Sequence, residues 1–279
     1  MKQLLSISLL MFASCEIASG QNVQDENPEY IARTVSVSDS KRSAFLRCMR
    51  RDDLRIRKLL KREGVLSEQS VFETTSTTIG TPGAPSWNFL ILARVGSSVR
   101  SQDLFRAEER LYKEDRRKNC FDAAGVETRR LEVLRTTLNS FYPGSRNGAP
   151  LAEFSVRYIV EYVAVQNTPA ALDEYRETMR TKNGPAVGVL IKEGRLLNFI
   201  ALETVSVRYS QSGMPELNQI HIRGGNFPEK GTVRPAMDRV LKSMDPNSGG
   251  AAAVFERLDA IRTKPREDVA RQLKDLAIR

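Results

Sequence analysis

Apolar positions change their period several times along this chain, and each change marks an element. Tyr30 to Val37 (YIARTVSV) combines β-branched residues with partial alternation, which predicts a strand. Ser38, Asp39 and Ser40 then offer helix-capping side chains. Phe45, Met49, Ile56, Leu59 and Leu60 recur at roughly helical spacing, predicting a basic helix over Lys41 to Glu63 that stops at Gly64. Val71 to Thr78 predicts a strand, Thr81 to Pro85 a turn, and Trp87 to Val95 (WNFLILARV) a strongly apolar strand. Helices are predicted over Ser101 to Asn119 and about Val126 to Ser140. A Pro/Gly-rich linker follows, from Tyr142 to Pro150.

The order then recurs. Tyr158 to Val165 (YIVEYVAV) repeats Tyr30 to Val37 with four of eight residues identical. Ala170 to Glu193 predicts a helix ending at Gly194, and Lys192 to Gly224 reads as a helix end, a strand, a turn and a second strand. Between Glu63 to Asn88 and Glu193 to Asn218, nine of 26 positions are identical, among them Gly64, Glu73, Thr74, Gly83, Pro85 and Asn88. A third block, Arg129 to Thr136, resembles Glu256 to Thr263. Three blocks in one order at nearly constant offset imply internal duplication, with units over 28–141 and 156–279 joined by a linker over 142–155. Each unit reads β-α-β-β-α-α, an α+β layer in which helices cover one face of an antiparallel sheet. Tyr30 to Val37, Tyr158 to Val165 and the Trp87 strand are apolar at nearly every position, so both of their faces need covering. Two sheets stacked across an internal pseudo-twofold would supply that cover.

Composition narrows the class. A hydrophobic share of 41% and a charged share of 28% belong to a soluble globular protein. A formal charge of +9 suits polyanionic partners, or simply solubility. Residues 1–20 (MKQLLSISLLMFASCEIASG) have a positive start, a short apolar run and small residues before Gln21, the pattern of a secretory signal peptide cleaved near Gly20. A buried N-terminal helix, or lipoprotein processing at Cys15, are the other readings of that segment. Export predicts a periplasmic or secreted protein and makes nucleic acid an unexpected partner. The basic helix, with Arg47, Arg50, Arg51, Arg55, Arg57, Lys58, Lys61 and Arg62, either docks on an anionic envelope surface or is a solvated face. A single histidine, His221, excludes metal sites that need two, so no metal is expected. There is no CxxC, GxGxxG, P-loop or GxSxG motif.

Tyr158 to Val165, the helix ending in Lys192-Glu193-Gly194, and above all Leu217-Asn218-Gln219-Ile220-His221-Ile222 resemble the dimeric α+β barrel superfamily, and within it the NIPSNAP-like branch. The resemblance covers about Arg157 to Arg239. It implies ferredoxin-like units whose sheets pair into a barrel, here as a pseudo-dimer within one chain. Some members are cofactor-independent oxygenases, some bind haem, and many have no assigned activity. Two departures stand out. The superfamily's fourth strand is missing, very short or replaced, because Ala251 to Leu258 reads as helix and Arg257 to Arg279 as a charged helix pair broken at Pro265. Ile91 also stands where the second unit has His221. In ferredoxin-like units the two helices run antiparallel, which brings Cys48 near Cys120; a disulfide is one reading and two buried thiols the other.

Candidate chemistry gathers on one strand. The period of two puts Gln219, His221 and Arg223 on one face. Glu161 and Glu203 lie on strands of the same sheet. Together these five form a candidate ligand-binding set, with His221 the one catalytic candidate, as general base or haem ligand, or else a packing histidine. The leading reading is an exported NIPSNAP-like barrel protein that binds a small apolar or haem-like ligand or serves structurally, without identifiable catalysis. The alternative is a cofactor-independent or haem-linked oxidoreductase using His221.

Overall fold

Eight antiparallel strands close on themselves. The first half supplies β1 (Glu29–Val37), β2 (Leu66–Gly80), β3 (Phe89–Val95) and β4 (Val126–Ser140). The second supplies β5 (Arg157–Val165), β6 (Asn198–Ser210), β7 (Gln219–Gly225) and β8 (Arg262–Gln272). Their order around the barrel is β1-β3-β2-β8-β5-β7-β6-β4. Each half therefore contributes four adjacent strands in one order, β4-β1-β3-β2 and β8-β5-β7-β6. The halves meet along two seams, β2 with β8 and β4 with β6. Closure removes the unpaired strand edges that two stacked sheets would keep. The computed structural model describes residues 28–116, 119–140, 156–225 and 233–279, with only the backbone of 138–140. The signal segment 1–20 and the whole linker over 142–155 lie outside the described residues.

Helices coat the outside of the barrel. They are α1 (Asp39–Cys48), α2 (Leu54–Arg62) and α3 (Ser101–Glu114) in the first half. The second half has α4 (Pro169–Thr178), α5 (Gly184–Lys192), α6 (Val233–Met244) and α7 (Gly250–Ile261). Strand alternation serves two cores. Ala32, Leu90, Leu92, Val160, Tyr162, Ile220 and Ile222 fill the barrel, while Val163, Ala201 and Phe199 face the helices with Tyr175, Leu190 and Val240. The two sets interleave along each strand, which is why the strands read as continuous apolar runs.

The halves share several local devices. A five-residue π-helical turn interrupts the first long helix of each, at Met49–Asp53 and Met179–Asn183. Gly64 and Gly194 end those helices with φ of 73° and 75°, a conformation glycine takes without strain. Asn88 and Asn218, just before β3 and β7, each clasp the end of the adjacent strand, β1 or β5: the side chain accepts from the amide of Val37 or Val165 at 2.9 Å and donates to its carbonyl at 2.8 Å. Inside the barrel, Arg130 pairs with Glu132 at 3.0 Å and Arg266 with Asp268 at 2.9 Å. Arg130 also donates to the Leu217 carbonyl and Arg266 to the Trp87 carbonyl. The acids accept from Thr204 and Thr74.

Three sequence expectations need correcting. Val126 to Ser140 is strand β4, not a helix, and β8 replaces the charged helix pair after Ile261. Both halves thus have the fourth strand and read β-α-β-β-α-β. The cause is the same in both cases: Arg130 and Glu132, or Arg266 and Asp268, occupy the barrel-facing positions as buried ion pairs. Charge at an inward position breaks the apolar alternation that signals a strand. Pro265 is accommodated at a register shift in the β5–β8 pairing, between Arg266 and Thr263. The third repeat block is also misaligned, since Arg129 to Thr136 is strand and Glu256 to Ile261 is helix. The structural counterparts are Arg130, opposite Thr34, and Arg266, opposite Tyr162. Finally, Cys48 at the end of α1 and Cys120 before β4 form a disulfide.

Candidate functional site

β7 sits between β5 and β6, and its helix-facing side carries Gln219, His221 and Arg223. Pairing in register puts Glu161 directly opposite His221, with Glu267 opposite Glu161 on the far side of β5. Glu203 lies opposite Gln219. From the helix layer α4 brings Tyr175, fully buried, over the same face. The result is a chain of contacts. The Tyr175 hydroxyl lies 2.6 Å from His221 Nε2, and His221 Nδ1 lies 3.4 Å from Glu161 Oε2. Glu161 also meets Lys264 at 3.0 Å and Arg223 at 3.2 Å. Glu267 completes the cluster through Lys264 at 3.2 Å.

Electrostatics assigns the protons. Burial pushes the Glu161 carboxyl up, but Arg223, the hydrogen bond from His221 and Lys264 outweigh it and hold the group well below the usual carboxylate range. Burial lowers His221 from its ordinary value, and although Glu161 pulls the other way, Arg262 and Lys264 add to the lowering. Burial likewise raises Tyr175. At neutral pH the arrangement is an ionised carboxylate, a neutral imidazole and a neutral phenol. One tautomer satisfies all three: Nδ1–H donates to Glu161, and Nε2 accepts from Tyr175.

Beside this satisfied chain lie unsatisfied groups. Gln219 is wholly buried, and neither its amide oxygen nor its nitrogen has a partner among the described residues. Arg223 Nε, on the other side of His221, is buried without a partner too. So is Asn183 Oδ1, in the π-helical turn of the helix layer. Buried polar atoms are nearly always hydrogen-bonded, so each orphan marks a place where a polar partner belongs.

The first half shows what the same place looks like with aromatic packing in place of the polar chain. Phe89, Ile91 and Ala93 stand where β7 has Gln219, His221 and Arg223, and Phe45 stands for Tyr175. Phe45 packs on Phe89 and Phe121 at ring-centroid distances of 5.2 and 6.1 Å. Arg33 replaces Glu161 and covers the Phe121 ring at 4.1 Å.

Of the five residues expected from sequence, the fold joins His221, Glu161 and Arg223. Gln219 shares their face. Glu203 turns away to pair with Arg176 on α4. Tyr175 and Lys264 went unnoticed. Tyr175 is one tyrosine on an otherwise ordinary helix, and Lys264 falls in the misread β8. Axial ligation of haem by His221 does not fit this arrangement: both ring nitrogens are engaged, and the ring lies against Tyr175 and Phe199 at 6.2 and 5.8 Å. Among the described residues no three His, Cys, Asp or Glu side chains gather to hold a metal, and no helix is long and apolar enough to cross a membrane. On the basic helix, Arg50, Arg51, Arg55 and Arg57 are paired with carboxylates, Arg57 between Asp53 and Glu108 in a buried cluster, while Arg47, Lys58 and Arg62 stay exposed.

No family model matches the chain, and no curated protein matches it. Solved structures do. An anthrone oxidase-like protein is 13% identical, with 90% of this chain and 95% of that one covered and a TM-score of 0.47. A dye-decolorizing protein from V. cholerae is 12% identical, covering 88% and 93%, at 0.48. A variant chlorite dismutase from Candidatus Nitrospira defluvii, in complex with cyanide, is 8% identical, covering 90% and 93%, at 0.47. At these scores the likeness carries no argument about activity, and the α+β barrel stands on its own strand order.

Proposed function

We propose that this chain is an exported, internally duplicated α+β barrel protein of the NIPSNAP-like kind whose second half binds a small polar ligand between sheet and helices. The observation that carries this is Gln219, fully buried with both amide atoms unpartnered, two residues from His221 on the same strand face. An amide left so costs about 1–3 kcal/mol, an expense a purely structural core would avoid by using the phenylalanine of the first half. A ligand that accepts from Gln219 Nε2 or Arg223 Nε, and donates to Gln219 Oε1, offsets that cost. The orphaned groups ask for a hydrogen-bonding ligand rather than an apolar one. The shared π-helical turns, glycine caps and asparagine clasps support duplication, the disulfide supports an oxidising compartment, and Arg47, Lys58 and Arg62 keep an anionic envelope surface among the partners.

The test is thermal unfolding against a panel of small carboxylates, phenols and amides. At least one compound is expected to raise the midpoint of the wild type and to leave Gln219→Met unmoved. No effect from any compound, or equal effects on both proteins, would sink the reading.

The Tyr175–His221–Glu161 chain favours a second reading, the cofactor-independent oxidoreductase. A neutral imidazole backed by a carboxylate can take a proton from a phenol or an activated carbon. In this reading Tyr175 relays the proton between substrate and His221 Nε2, and Glu161 stabilises the imidazolium. Oxygen uptake with simple quinols, present in the wild type and lost in His221→Gln, would support it; no uptake in either would remove it.

A further inference from the structure

A crevice of about 720 Å³ opens on the first half, between the start of α1, the outer part of β2, the β2–β3 connection and β8. Its walls carry the hydroxyls of Ser36, Thr75, Ser76, Thr77 and Ser86, and Arg266 and Trp87 line it as well. Two of these hydroxyls already donate their proton inward. Thr77 donates to Asp268 at 2.8 Å and Thr75 to the Val269 carbonyl at 3.0 Å. Thr77 also accepts from Arg266 at 3.4 Å; what these hydroxyls still offer is their remaining lone pairs, which call for a ligand rich in hydrogen-bond donors.

Charge excludes the obvious anion. The Arg266 Nε contacts both oxygens of Asp268, at 3.0 and 2.9 Å. One terminal nitrogen donates to the Trp87 carbonyl at 2.6 Å, and the guanidinium lies 3.8 Å from the Trp87 ring centroid. The pair is neutral, and Asp39 at the rim adds a negative charge. The other half supplies a control. It repeats the buried pair as Arg130 and Glu132, so the ion pair belongs to the scaffold. It keeps Ser76 as Ser206 but loses the other hydroxyls, with Ala164, Val205, Val207 and Glu216 standing for Ser36, Thr75, Thr77 and Ser86, and Leu217 for Trp87. Pro85 and Pro265 give the crevice apolar surface between the hydroxyls, the mixture that a sugar ring, with its alternating C–H and O–H groups, complements.

We propose that this crevice binds a neutral polyhydroxylated ligand, a saccharide or polyol, independently of the His221 site. Trp87 is the chain's single tryptophan and lines this crevice, so its fluorescence serves as the readout, with the crevice variants tying any response to the site. Glycerol, glucose, N-acetylglucosamine, maltose and trehalose are titrated to about 10 mM, the range of weak small-ligand affinity. Acetate and sulfate are run alongside. At least one neutral compound is expected to shift the emission saturably. Ser36→Ala/Thr75→Val, which copies the other half, should weaken that response at least about tenfold, and His221→Gln should leave it intact. The exposed Thr75→Val alone serves if the double variant does not fold. No saturable response to the neutral compounds, a response to the anions instead, or one that the crevice variants leave unchanged would each overturn the proposal.

Discussion

His221 is one residue in 279, yet its state organises the second half. Because burial and nearby cations lower its proton affinity, the sign of the pH effect follows. The unfolded chain takes up the proton near the ordinary value of about 6.5, and the folded chain only at lower pH. Between those points the unfolded state binds more protons, so stability rises with pH and is lost as pH falls through the window. Glu161, whose folded proton affinity is depressed, adds to the loss further down, below the ordinary carboxylate value. Urea midpoints at pH 7 and pH 5.5 should therefore differ, and the difference should shrink in His221→Gln. Tyr175→Phe removes the donor to Nε2. It should cost about 1–3 kcal/mol as a buried acceptor loses its partner, and should raise the proton affinity of His221, because the neutral ring loses its hydrogen bond. Gln219→Met should do the reverse of an ordinary core change. Replacing an unpartnered amide with an apolar side chain of similar size should stabilise the free protein by about 1–3 kcal/mol.

At the scale of elements, the hairpin was readable and the outer strands were not. β1, β3, β5 and β7 announce themselves because their two apolar sets, one for the barrel and one for the helices, leave almost no polar positions. The shared face of Gln219, His221 and Arg223 needed only strand alternation. β4 and β8 were hidden because their inward positions hold Arg130, Glu132, Arg266 and Asp268, which look like a charged helical face until the barrel pairs them. Lys264 was lost with β8. Tyr175 was invisible for another reason: which helix residue lands over His221 depends on packing, not on local pattern. The disulfide belongs to this scale. Cys48 and Cys120 are 72 residues apart, and a loop of that size is worth about 4 kcal/mol in the chain-entropy model. Reducing it should lower the denaturant midpoint, whereas a Cys48→Ala/Cys120→Ala variant should be indifferent to reductant.

For the whole molecule, closure makes the halves interdependent. Barrel residues from both, such as Trp87 and Tyr162, whose side chains are hydrogen-bonded at 3.0 Å, fill one interior. A fragment ending at Ser140 would expose that interior and leave β2 and β4 as open edges. It should be recovered as a dimer or an aggregate by size-exclusion chromatography, and a stable monomer would contradict the shared core. Division of labour is then the natural use of two similar halves: where the first packs Phe45, Phe89 and Phe121 against each other, the second holds a buried, charged and partly unsatisfied cluster in the corresponding place.

That asymmetry rests on the state of one side chain, and the chain has only one histidine. Nitrogen NMR of the His221 ring across pH therefore tests the account most directly. The account predicts a neutral ring protonated on Nδ1 at pH 7, with a titration midpoint below about 6.5. An Nε2-protonated ring, or a midpoint at or above that of a free histidine, would contradict it.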